Sequence, residues 1–573
     1  MRLGDVNLID AGSTIFDTQR QWTTKALGSS KASDIGDGWR SVQTEIGAEN
    51  RTKIRTKIRT DLVPAAFVAH RLRHAADTRG MADERPRRHA SPVTDSQSRS
   101  QPQAQPQPER QSQEDSPDAG TPLHDPHEPD FFSAIRDDLS DWRQWLSRVV
   151  VLAFAIAAGL AVVLFTWVSD QAISGFAAMR NGSPWAPLIW TPCCTAALVW
   201  ITRRFAPGAG GSGIPQVMAA LSARVPADQQ GLFVSLRLSI AKLLLVSGGL
   251  LGGLAIGREG PSVQIAAGVM QHAQRWLPRR SALNHDGLLV AGGAAGIAAA
   301  FNAPLAGVMF AIEELTRKVE QRTSGLIIAA IVLSGLMAVS VFGNASYFGR
   351  LRVDHLTWSH LLPGLLTAIG CGLAGGVFSR LLQRSLLGGG DRFSRWRARF
   401  PVRFAFACGL AIAVLGLVSH GATDGSGYEY TRGLVEGHLD LPVLYVTLRI
   451  VATWLAVWSG VPGGIFAPSL AIGAGIGSDI AQLTATTEGA AALIAIGMTA
   501  FLAAVTQAPV TAFIIVMEMV DGHAMVLSLM AAALLASLVS RWISVPIYHR
   551  LAQAQLARLP EDAAASSGPR PAA

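Results

Sequence analysis

Apolar residues run through this chain in blocks rather than in alternation. Val149–Ser169, Gly287–Ile312, Ser324–Gly349, Ile450–Ser478 and Gly489–Met517 contain no Asp, Glu, Lys or Arg. Each block exceeds the ~20 apolar residues that carry a helix across a hydrocarbon core, so the pattern predicts an all-α polytopic membrane protein. From Val149 to about His549 the chain reads as apolar helix interrupted by Gly- and Pro-rich breaks. Irregular backbone at membrane depth is tolerated only where protein buries it or where it lines a polar cavity. Each break therefore points to the functional site.

The breaks repeat. GREGPSVQIAAGV at Gly257–Val269 and GIFAPSLAIGAGI at Gly464–Ile476 share six of thirteen positions, 207 residues apart. Ala303-Pro304 with Glu313 nine residues past the proline matches Ala508-Pro509 with Glu518, 205 residues on. GSG at 211–213 returns at 425–427. Three matches in one order indicate an internal duplication, with halves at about 147–345 and 355–545. Transporters built from two repeats place their site where the repeats meet, near mid-membrane.

Residues 1–128 are polar, and Ser96–Glu114 is a Ser/Gln/Pro/Arg tract with the composition of a disordered segment. No basic start followed by an apolar stretch marks a cleavable signal peptide. The tandem KIRTKIRT at 53–60 has no packing logic, and Met81 is an alternative start. An amphipathic helix over Phe131–Ser147 leads into the membrane domain, 129–557, and 558–573 reads as a disordered tail.

Composition supports the class. Of 573 residues 49% are hydrophobic and 16% charged, against about 25% charged in a soluble domain, and mean hydropathy is +0.29. The net charge of +8 does not signal nucleic acid. Its basic residues cluster between apolar segments (Arg275, Arg279 and Arg280; Arg317, Lys318 and Arg322; Arg392, Arg395, Arg397 and Arg399), as loops on the cytoplasmic face do. Cys193, Cys194, Cys371 and Cys408 lie in apolar stretches without metal-ligand spacing and read as buried small residues. HExxH, GxSxG and paired intramembrane aspartates are missing from the sequence, which argues against a membrane-embedded enzyme.

Three breaks have the composition of an anion site: GGSGIP (210–215), GREGP (257–261) and GGIFAP (463–468). Each sets glycines before a proline that opens an apolar stretch. Proline suits the first helical turn, and glycine lets backbone approach a ligand closely. The first N–H groups of a helix have no internal partner and carry the positive end of its dipole. Several such starts converging in a low dielectric can hold a bare anion without a full positive charge. Glu259, at one of these starts with Arg258 beside it, is an intramembrane carboxylate and so a functional candidate; a structural ion pair with Arg258 or Lys242 is the alternative.

GSGIP, GREGP and GxFxP in this order resemble the CLC family of chloride channels and transporters, with the likeness running from about Phe131 to Ala557. The resemblance implies an inverted-repeat fold with broken and re-entrant helices. It also implies a homodimer with one pathway per subunit, in a bacterial inner membrane with both termini cytoplasmic. The regulatory domain pair of many eukaryotic members is not expected, since the chain ends soon after Arg550. Carried over by motif, Ser212 and Tyr548 would coordinate the central anion through their hydroxyls, with the Ile465 and Phe466 amides completing the site. On its own, such a serine caps a helix and such a tyrosine anchors at an interface. Glu259 would be the gating carboxylate, itself an anion that yields its place to chloride when protonated. Glu314 would be the internal proton-transfer acid, and Glu313, matched by Glu518, a structural one. Glutamate at both 259 and 314 favours chloride/proton exchange over the family's other activity, passive gated conduction. Chloride is then substrate, and neither cofactor nor metal is implied.

Overall fold

Helices form where the apolar blocks lie, and they sort by burial. The computed structural model describes residues 142–558 apart from 227–228, 279–283, 317–323, 344–347, 350–357, 438–441, 443 and 487–488. The 1–128 extension with KIRTKIRT and Met81, most of the Phe131–Ser147 segment, and nearly all of the 558–573 tail lie outside the described residues. The first half runs α1 (Trp142–Gly182), α2 (Pro187–Phe205), α3 (Ile214–Ala220), α4 (Leu236–Leu251), α5 (Glu259–His272), α6 (His285–Phe301), α7 (Pro304–Phe310) and α8 (Ser324–Phe342). The second runs α9 (Leu361–Leu387), α10 (Arg392–Arg399), α11 (Pro401–Val418), α12 (Tyr428–Val435), α13 (Tyr445–Ser459), α14 (Phe466–Leu483), α15 (Ala490–Thr506), α16 (Pro509–Met519), α17 (Val526–Arg541) and α18 (Ile547–Leu556). In order, α2 to α8 correspond to α11 to α17, so the duplication covers whole helices and not only motifs.

Six of the described helices are long and apolar enough to cross a membrane: Gln144–Gly182, Gln230–Leu251, Gly325–Phe342, Leu361–Leu387, Pro401–Val418 and His523–Arg541. They carry many of the exposed apolar side chains, such as Leu164 and Trp167 on α1, Ile240 and Leu244 on α4, and Leu534 and Leu538 on α17. α5, α6, α14 and α15 are buried on nearly every side. Outer helices thus shield inner ones, as irregular backbone in a bilayer requires. The inner pairs meet through bare backbone: a Cβ on Gly473 would lie 2.2 Å from the Gly497 carbonyl oxygen, and one on Gly497 2.2 Å from that of Gly473. Close approach of this kind replaces the hydrophobic effect as the source of helix contact in lipid.

Three of the five uncharged blocks are therefore not single crossings. The block 287–312 breaks between α6 and α7, 450–478 between α13 and α14, and 489–517 between α15 and α16. Asn302 and Gln507 end α6 and α15 in left-handed conformation, φ 55° and 61°, and Pro304 and Pro509 open the next helices. A proline has no N–H for the preceding turn, so the helix stops and a new one starts. The cysteine expectation needs correcting too. Cys371 and Cys408 are buried, but Cys193 is exposed and Cys194 half-buried, because α2 presents Ile189, Trp190 and Trp200 to the outside.

The new helix starts are capped from the opposite half. Glu313 accepts hydrogen bonds from Val510 N (3.1 Å) and Thr511 N (2.6 Å) at the start of α16. Glu518 accepts from Leu305 N (3.2 Å) and Ala306 N (2.7 Å) at the start of α7. Gly257 and Gly464 exchange two backbone bonds of 2.8 Å in an antiparallel bridge. When residues of one half hold those of the other and their repeat mates do the reverse, a two-fold axis relates the halves. Glu313 is structural, as its match to Glu518 suggested. Replacing either glutamate by alanine strips a helix start of its acceptor, and a cap of this kind is worth about 0.5–2 kcal/mol. Thermal unfolding of Glu313→Ala and Glu518→Ala in detergent should show a loss of that order in both. An unchanged unfolding temperature in either would remove the reciprocal capping.

Candidate anion-binding site

The three glycine-rich breaks meet at one place. Gly463 N donates to Gly211 O at 3.2 Å, and the Gly257–Gly464 bridge ties the other two loops. The approach leaves no room for side chains on the loops. A Cβ on Gly260 would lie 2.3 Å from Ser212 Oγ, and one on Gly257 2.4 Å from Glu259 Oε2. Glycine here lets Ser212 and Glu259 enter a space that backbone would otherwise close.

Glu259 opens α5 and is fully buried. Its Oε2 accepts from Ala467 N, in the first turn of α14, at 3.3 Å. Its Oε1 has no hydrogen-bond partner, and among the described residues the carboxylate makes no ion pair. Arg258 pairs with Asp170, and Lys242 is occupied elsewhere, so the alternative of a structural ion pair does not hold. The carboxylate instead rests on a helix start, where N–H groups and the dipole favour negative charge. Ile465 and Phe466, which lead into α14, donate their amides to no protein acceptor among the described residues.

Ser212 and Tyr548 complete the cluster. Both hydroxyls are buried without a hydrogen-bond partner, yet they are neighbours, and Tyr548 feels the charges of Glu314 and Glu259. The Phe466 ring sits 5.9 Å from Tyr548 and 6.1 Å from Phe301, centroid to centroid. Buried polar groups normally find partners. Two unpartnered hydroxyl donors, two unused amides and one carboxylate oxygen in one spot mark a place built for a group the protein does not itself supply. Glu314 lies in the wide turn Ala311–Leu315 that ends α7, half-buried and beside Glu313. The structure thus brings Ser212, Glu259, Ile465, Phe466 and Tyr548 together, while Glu314 stands apart on its own turn and reaches Tyr548 only through its charge.

Residues that the motifs did not mark hold the site in shape. Lys242, fully buried on α4, donates to Ala209 O and Gly211 O, both at 2.7 Å. Gln264 Nε2 donates to Gly208 O at 3.0 Å. Gln216 takes Gly210 O and receives Gly213 N at 2.9 Å. Four successive carbonyls of the Ser212 loop, 208 to 211, are therefore held by side chains, and a carbonyl held elsewhere is not turned against an anion. The second half copies the arrangement. Arg449, 207 residues after Lys242 and equally buried, donates to Asp424 O (3.2 Å) and Gly425 O (2.8 Å) of the other GSG loop. At the far end, Gln507 Nε2 grips Ser544 O (2.9 Å) and Gln383 Nε2 grips Val545 O (2.6 Å), fixing the linker that delivers Tyr548. A buried lysine without a carboxylate was the available signal in the sequence. Its carbonyl partners lie more than thirty residues away and were not.

Known proteins share this architecture. The profile of the voltage gated chloride channel family matches residues 194–541. The H(+)/Cl(−) exchange transporter ClcA of Cronobacter sakazakii is 32% identical over 456 residues, covering 73% of this chain and 93% of the relative. That of Salmonella typhi is 32% identical over 444 residues, covering 72% and 89%. Among solved structures, a slow cyanobacterial Cl−/H+ antiporter superposes with TM-score 0.61 at 25% identity, over 72% of this chain and 98% of the other. A CLC-type fluoride/proton antiporter shares the fold, with TM-score 0.59 at 20% identity over 74% and 99%. With the profile covering well over half of its length, and with its duplicated halves and converging helix starts, the chain belongs to the voltage-gated chloride channel (CLC) family.

Proposed function

We propose that the chain exchanges chloride for protons across a membrane, with Glu259 as the element common to both ions. The observation that carries this reading is the Glu259 carboxylate resting on the start of α14, one oxygen bound to Ala467 N and the other unpartnered. Ionised, it is an anion at an anion site. Protonated, it loses the charge that the helix start favours, and chloride competes for the same N–H groups. The chloride ion is held by the Ser212 and Tyr548 hydroxyls and the Ile465 and Phe466 amides. Glu314 accepts the proton on the inner side and passes it towards Glu259. A carboxylate at both positions supports exchange over passive conduction, and the relatives named as H(+)/Cl(−) exchange transporters agree with it. The working unit is a homodimer in the bacterial inner membrane with one pathway per subunit. Both termini face the cytoplasm, with the arginine-rich surface of α10 and the ends of α2 and α18 on that side.

Paired chloride and proton flux in liposomes tests the assignment. Glu259→Gln should abolish proton movement while chloride flux persists, because an amide neither titrates nor competes as an anion. Chloride-driven proton pumping in that variant would overturn the gating role. Glu314→Gln should likewise keep anion flux and lose coupled protons; an unchanged coupling ratio would leave Glu314 a helix-end residue. Lys242→Met orphans two buried carbonyls of the Ser212 loop at about 1–3 kcal/mol each. Calorimetric chloride affinity should fall by roughly tenfold or more, and an affinity equal to wild type would show that the Ser212 loop holds its shape without the lysine.

A further inference from the structure

α9 and α11 both cross the membrane, and only the thirteen residues 388–400 join them. The connector cannot leave the membrane surface, so α10, which fills most of it, lies at the boundary between hydrocarbon and water. Its sequence, RFSRWRAR, is half arginine. Arg392, Arg395 and Arg399 stand at i, i+3 and i+7, on one stripe, and all three are exposed. Arg397 points the opposite way and donates to Ser385 O at 3.3 Å.

The helix is fixed in this attitude by aromatic contacts. Phe393 meets Trp458 edge-on at 6.1 Å, Trp396 meets Phe404 at 5.2 Å, and Phe404 meets Trp458 at 4.8 Å. Phe393 remains 59% exposed beside the stripe, as an aromatic at a lipid interface does. Further positive charge surrounds the stripe. Arg397 feels Arg203 and Arg558, and Arg399 and Arg403 both lie over the Phe400 ring at 5.4 and 5.1 Å. Among the described residues none of the arginines of α10 has a carboxylate partner. Asp391 is occupied capping Ser394 N at 3.1 Å, and hydrogen bonds from Ser394 hold its carboxyl below the ordinary range. Like charges so concentrated repel unless an anion lies among them. Guanidinium groups match phosphate in two-point geometry, and at this depth the phosphates present are those of lipid headgroups.

We propose that α10 binds anionic phospholipid, with headgroup phosphates set against Arg392, Arg395 and Arg399 and acyl chains alongside Phe393. None of these residues touches the anion site, so this inference stands apart from the exchange reading. The test is native mass spectrometry of the full chain, offered phosphatidylglycerol or phosphatidylcholine. Wild type should retain phosphatidylglycerol in preference. R392Q/R395Q/R399Q should lower that preference on the order of tenfold or more, while the corresponding triple lysine variant, which keeps the charge, should recover most of it. Equal phosphatidylglycerol retention by wild type and the glutamine variant, or no lipid preference in wild type, would overturn the proposal. So would complete displacement of bound lipid by millimolar glycerol phosphate, since the site would then be one for soluble phosphates. Chloride flux of the glutamine variant in phosphatidylcholine liposomes should equal that of wild type in the same lipid.

Discussion

The contact on which the rest of the structure turns is that between the Glu259 carboxylate and the start of α14. A carboxylate stripped of water at membrane depth is unstable unless something replaces its hydration. Helix N–H groups can do so, but only if a helix begins inside the membrane, and a helix that begins there leaves backbone exposed. The outer layer of apolar helices answers this by shielding the inner ones. The glycine contacts between α5 and α6 and between α14 and α15 answer it by drawing backbone against backbone. The reciprocal caps from Glu313 and Glu518 satisfy the helix starts that α7 and α16 would otherwise leave open.

The two halves share a scaffold and differ in chemistry. Glu259 has Phe466 as its repeat mate, 207 residues on, and Lys242 has Arg449 at the same interval. Both cations do one job, holding the carbonyls of a GSG loop. The mates at 259 and 466 do not: one half supplies a carboxylate, the other an amide start and a ring against Tyr548. Duplication gives the symmetric frame, and the proposed site lies where the symmetry is broken. A site with a carboxylate from each half would set two like charges together, and one with a phenylalanine from each would have nothing to titrate.

Much of this was legible in the sequence because the motifs are local. GSGIP, GREGP and GIFAP each combine glycine, a helix-opening proline and an apolar run within a few residues, and the duplication was visible as repeated spacing. The apolar stretch was legible as helix broken at Gly- and Pro-rich points, but where three of the uncharged blocks divide was not, since length and hydropathy do not register a left-handed residue such as Asn302 or Gln507. The supporting shell was not legible at all. Lys242, Gln264, Gln383 and Gln507 act on carbonyls brought near by the fold, and a carbonyl carries no signature in sequence. Cys193 was misjudged because in a lipid-facing protein an apolar neighbourhood does not mean burial.

The placement of the buried cations bears on the exchange proposed for Glu259. Had a buried cation paired with Glu259, breaking that pair would cost on the order of 3–5 kcal/mol. A carboxylate so bound would be a fixture. Here the lysine is turned to Ala209 O and Gly211 O at 2.7 Å, one layer behind the loop, and Arg258 is turned to Asp170. Glu259 is left with a 3.3 Å bond from the other half and an oxygen with no partner. The positive charge still favours an anion in the region without belonging to any one of them. The exchange proposed above, in which the site holds first its own carboxylate and then a foreign ion, needs this division, with the strong cation interactions given to backbone and the weak, interchangeable ones to the anion.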